Sequence, residues 1–142
     1  MTTPIEALTR LSRQVPTRAD FEAFHAEIKD ETNNRGVTAL LAANADIGLQ
    51  LAIERNLLVT ETDDHFGDLF RPGGLLNNFG AKIRIGYHMG IYGNVHKKNL
   101  DCILAVRNAF AHAPKPLTFD TPEVKAVCDL LFSFCRTFVN TI

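Results

Sequence analysis

Apolar residues return every three or four positions along almost the whole chain and rarely alternate, a helical rather than a strand pattern. "PIEALTRLSRQV" predicts a short first helix with Pro4 in its first turn. "PTRADFEAFHAEIKDET" predicts a second, with Thr17 and Asp20 at capping-box spacing and Phe21, Phe24 and Ile28 as its inward stripe. The third and longest runs from about Gly36 to Leu58 behind Asn33 or Asn34 as cap. It carries two apolar stripes: Val37, Leu40, Leu41, Ile47, Leu51 and Leu58 on one, Ala39, Ala42, Ala43, Leu49 and Ile53 on the other. Asp46 falls on the second stripe and requires a partner there, because an unpaired buried charge is costly; Glu54 is the alternative carboxylate.

A break zone from Thr60 to Gly80 follows, punctuated by Pro72, Gly73 and Gly74. Asn77 or Asn78 then caps a fourth helix ended by Gly90, with Gly80 and Gly86 inside it marking close approach of another backbone. A fifth helix is expected from Asn94 to about His112. "PKPLTFDTPEV" is extended, and Thr121-Pro122 opens a last helix whose seam is Val124, Cys128, Leu131, Cys135 and Phe138. No βαβ alternation, phosphate loop or internal repeat interrupts this series. The expectation is an all-α bundle of about six helices, a single domain over residues 1–142.

Composition changes that picture little. The 142 residues carry a net charge of −1 and an ordinary apolar share, as a folded domain of this size requires. No apolar run approaches the roughly 20 residues of a membrane span, and the N-terminus lacks the apolar core of a secretory signal, so a cytoplasmic location is expected. Cys102, Cys128 and Cys135 lack zinc or CxxC spacing and are expected to pack as small apolar residues, with no metal and no cofactor.

Charge distribution is less even. Residues 1–70 hold six basic against twelve acidic residues, and residues 71–142 nine against four. Lys82, Arg84, Lys97 and Lys98 are therefore candidate anion-binding residues, or else the basic half packs against the acidic one. Lys97-Lys98 also fits a solvated helix start, and Tyr87 and His88 a packing tyrosine and a surface histidine. The Phe-rich last helix (Phe132, Phe134, Phe138) has apolar residues beyond its seam, which suggest a dimer interface.

The sharpest feature is "RNAFAH", residues 107–112, at the end of the fifth helix. At 100° per residue Leu100, Leu104, Arg107 and Ala111 share a face, which aims Arg107 toward the core. Two accounts follow. In the structural one Arg107 pairs with Asp46 or Glu54 through its planar fork, Asn108 tethers a loop and His112 favours the helix C-terminus as a cation. In the chemical one the motif cleaves RNA without a metal: His112 takes the ribose 2′-hydroxyl proton and Arg107 holds charge developing on the phosphate. Arg107 and His112 diverge by about 140° on one helix, so that chemistry requires a cleft composed from two subunits.

The spacing resembles the Arg-x4–6-His signature of HEPN domains, which implies an all-α, commonly dimeric fold and, in some members, a metal-independent ribonuclease with Arg107, Asn108 and His112 as catalytic residues. A longer stretch, about residues 69–124, resembles the mannitol operon repressor family. Its matching pieces are Gly74-Leu75, Phe79, Lys82-Ile83, Tyr87, Gly90, Arg107-Asn108, Phe110-Ala111-His112 and Phe119-Asp120 with Pro122. The N-terminal half matches only as the helical "LLAANADIGLQLAI", and Asn78-Phe79-Gly80 departs from the serines that commonly flank the phenylalanine. This resemblance implies a small helical transcriptional regulator. No helix-turn-helix with a basic reading helix stands out, so direct DNA binding is not expected, and a protein partner and a homodimer are.

Overall fold

The computed structural model describes residues 1–12, 14–58 and 69–139, with the side chains of 12 and 132–139 outside that description. Six helices and no strand are found among the described residues, so the all-α expectation holds. They are α1 (Pro4–Ser12), α2 (Arg18–Asp30), α3 (Asn34–Arg55), α4 (Phe79–His88), α5 (Asn94–His112) and α6 (Pro122–Val139). The chain divides into two compact units, Met1–Thr32 and Asn33–Ile142.

In the first unit α2 starts at the expected capping box. The Thr17 hydroxyl accepts from the Asp20 N–H, and the Asp20 carboxylate accepts from the Thr17 N–H at 2.7 Å. Phe21, Phe24 and Ile28 are half-buried, with no fully buried residue on α2. On α1 the apolar residues Ile5, Leu8 and Leu11 are exposed.

Every buried residue among those described lies in the second unit. Asn33 caps α3 by accepting from the Arg35 and Gly36 N–H groups, and Asn78 caps α4 by accepting from Ala81. Past the end of α4, Gly90 turns the chain at φ +71°, a left-handed conformation that glycine adopts without a Cβ penalty. One core cluster joins Leu49 and Ile53 of α3 to Leu76 and to Phe79 and Ile83 of α4, with Leu100, Ile103 and Leu104 of α5 against it. A second joins Val106 and Phe110 of α5 to Val124 of α6, flanked by Leu117, Val127 and Cys128.

Of the two α3 stripes, the one with Ala42, Leu49 and Ile53 is buried, while Leu41, Ile47 and Leu58 of the other are exposed. By length and composition α3 could cross a membrane, which corrects the expectation that no segment approaches that length. It nevertheless packs against both α4 and α5, and Arg35, Asp46 and Glu54 interrupt it.

Gly86 faces a side chain rather than the expected backbone. A Cβ there would lie 2.8 Å from Cε1 of Tyr92, whose hydroxyl donates to the Ile83 carbonyl. Gly80 similarly faces Leu104 Cδ2, at 3.3 Å from a Cβ position.

Candidate functional site

The stretch of α3 from Arg35 to Asp46 and the last turns of α5 part to leave an open cleft of about 370 Å³. Arg35, Thr38, Ala39, Ala42, Ala43 and Asp46 line it from α3, Phe79 from α4, and Arg107, Phe110 and Ala111 from α5. The α3 positions recur at three and four residues, so they form one face over about three turns. Its floor is Ala42, Phe79 and Phe110, all buried. Its flanks are the exposed small residues Ala39, Ala43 and Ala111.

Both ends are tied. At one, the Arg35 guanidinium donates to the carbonyls of Ala113 (2.9 Å) and Lys115 (3.3 Å). A cation at the carbonyl-rich end of α5 is favoured by the helix dipole. His112, expected at this helix end, does lie in the last turn of α5 and is exposed. The other end is closed by Lys82 Nζ, 2.8 Å from Asp46 Oδ1.

That contact corrects the expected Asp46–Arg107 ion pair. Lys82 occupies the buried stripe of α4 with Phe79, Ile83 and Gly86, and its ammonium lies 6.0 Å from the centre of the Phe70 ring. Its side chain is 6 % exposed, against 32 % for Asp46; a lysine so deeply placed needs a carboxylate, and Asp46 is the one within reach. Glu54, the alternative carboxylate, instead accepts from the Gln50 amide.

Arg107 is exposed and donates to the Asn108 Oδ1 at 2.9 Å. The inward side of α5 is set by Val106 and Phe110, one residue round from the face that periodicity suggested. Arg107 therefore stands at the lip of the cleft. With two bonds from Arg35 and one from Arg107 to oxygens, each guanidinium retains donors out of its five. Arg107 and Asn108 come together; His112 does not line the cleft.

Two of the four candidate anion-binding residues, Lys82, Arg84, Lys97 and Lys98, are engaged by carboxylates. Lys82 is bound to Asp46, and Lys97 is held 2.8 Å from Asp101 and 5.9 Å from the Tyr87 ring centre. Arg84 and Lys98 are exposed. No group of three metal-ligating side chains exists among the described residues.

No family model, curated protein or solved structure matches this chain. The site therefore rests on its own geometry.

Burial raises the thiol pKa of Cys102 and of Cys128 above its ordinary value, the opposite of what a reactive cysteine requires. Cys128 packs against the second core cluster; Cys135 and the suggested interface at Phe132, Phe134 and Phe138 lie outside the described side chains. Sequence reasoning missed Arg35 as a cleft cation and Lys82 as the partner of Asp46. A signal for Lys82 was present: it sits at the i+3 position from Phe79 on the stripe that continues to Ile83 and Gly86.

Proposed function

We propose that this chain is a cytoplasmic regulatory protein of the mannitol operon repressor type, acting as a homodimer through a protein partner and not by reading DNA bases. The observation that carries the reading is the cleft between α3 and α5, apolar at its floor and cationic at its lip. An apolar groove with a few placed polar groups is the usual form of a docking site for another chain. The positions behind the family resemblance divide in a way that supports it. Phe79, Ile83 and Phe110 are core, Lys82 is the buried cation and Gly90 makes the turn, so Arg107, Asn108 and His112 are left to meet a partner. That Lys82 and Lys97 are bound to carboxylates supports a partner other than DNA.

A second reading, the metal-independent ribonuclease, is favoured by one observation: Arg107 and His112 are both exposed. It requires a second subunit to bring a histidine to Arg107. Incubating wild type, Arg107→Ala and His112→Ala with single-stranded RNA separates the two, with each melting temperature recorded. The regulator reading expects intact RNA in all three reactions. Cleavage by wild type that vanishes in both folded variants would overturn it in favour of the enzyme.

A further inference from the structure

We propose that the α3–α5 cleft receives an acidic, amphipathic helix of the partner protein, its small apolar side chains between the alanine flanks and a carboxylate on Arg107; this inference rests on the partner-docking reading above. Three features of the cleft select that occupant.

The first is charge. Asp46 is the carboxylate among the lining residues, and Lys82 neutralises it from below at 2.8 Å. Arg35 and Arg107 are then two cations without an acidic counterpart in the cleft, and a planar guanidinium favours a carboxylate or phosphate over a neutral group.

The second feature is shape. The lining residues of α3 extend from Arg35 to Asp46, about 16 Å along the axis. Ala39, Ala43 and Ala111 project little from their helices, so another helix backbone approaches closely along the groove. The lining of α3 matches three turns of an amphipathic helix that repeats its contacts at i, i+3, i+4 and i+7.

The third separates a peptide from RNA, which would also supply an anion. Single-stranded RNA binding draws on exposed aromatic faces on which bases stack. The two aromatic residues here, Phe79 and Phe110, belong to the floor but are only 4 % and 2 % exposed, so neither presents an open ring face. The cleft offers aliphatic contact and charge, with no stacking platform.

A fluorescein-labelled peptide, with alanine and leucine at helical spacing and glutamates on one flank, tests this by anisotropy against the full chain. Saturable binding is expected, weakening as salt is raised. Arg107→Glu is expected to lower affinity at least about tenfold by reversing the lip charge. Ala43→Leu, which fills the groove without touching a charge, is expected to do the same. Both positions are exposed, and melting temperatures confirm that the variants fold. Equal binding to wild type and both variants, or no binding at all, overturns the proposal.

Two further arms locate the failure. An oligouridylate that binds wild type, excludes the peptide and loses affinity in Arg107→Glu would make the occupant RNA, overturning this inference and the partner reading together. Absent peptide binding with a wild-type dimer that Ala43→Leu converts to monomer in sedimentation would make the occupant a second copy. That overturns the acidic-helix proposal while leaving regulation through protein contacts standing.

Discussion

Lys82 and Arg107 exchange the roles that charge chemistry alone suggests. The guanidinium is the better partner for a buried carboxylate in geometry and hydration, yet the lysine holds Asp46. Position decides: Lys82 emerges from the buried stripe of α4, while Val106 and Phe110 turn the inner side of α5 away from Arg107. Other titratable groups at this scale are in partly apolar surroundings. Burial raises the pKa of Cys102, Cys128 and Tyr92 above ordinary values of 9.0 for the thiols and 10.0 for the phenol. Each is neutral when protonated, so the folded chain holds these protons at pH values where the unfolded chain has released them. Stability contributed by this difference is complete below about pH 8 and is lost as pH rises through and above the ordinary values. Urea unfolding between about pH 8 and pH 10.5 is expected to show a falling midpoint, and Tyr92→Phe a shallower fall at the upper end. A midpoint flat over that range would contradict these buried environments.

Among the elements, α4 and the turn after it are the most tightly specified. Gly86 leaves space for the Tyr92 ring, and the Tyr92 hydroxyl satisfies the Ile83 carbonyl. Gly86→Ala adds a methyl group into that ring, and overpacking of this kind costs about 1–3 kcal/mol. In the Tyr92→Ala background the obstruction is gone and the helix preference for alanine over glycine, roughly 0.5–1 kcal/mol, is expected to appear instead. Thermal unfolding of the double-mutant cycle checks this change of sign; additivity would rule out the proposed contact. Periodicity made most of these elements legible, because each buried seam lies on one helical face. Asn33, Thr17 and Asn78 cap α3, α2 and α4 as their side-chain chemistry requires. What periodicity left open was which α3 stripe faces inward, since both are apolar and only packing against α4 and α5 chooses between them. It also left the Asp46 partner ambiguous: a rotation of α5 by one residue, about 100°, moves Arg107 from core to lip.

At the scale of the molecule, the second unit contains both core clusters and the cleft, with α3, α4, α5 and α6 packed around them. The candidate site is a consequence of how that packing ends. Leu49 and Ile53 hold α3 close to α5 at one end, while toward Arg35 the lining residues become alanine and threonine and the helices part. "RNAFAH" marked the right stretch of sequence. Its meaning depended on tertiary structure, because a strut and a ligand-facing arginine have the same local pattern. The functional account thus turns on whether Arg107 supports the fold or stands free to bind. Denaturant unfolding of Arg107→Met beside Lys82→Met is the measurement that decides it. Arg107→Met is expected to stay within about 0.5 kcal/mol of wild type, as at an exposed position. Lys82→Met leaves the half-buried Asp46 unpaired and is expected to cost about 2 kcal/mol, between an exposed pair and a fully buried one. The reverse order, with Arg107→Met the damaging change, would make the arginine a core strut and contradict the site.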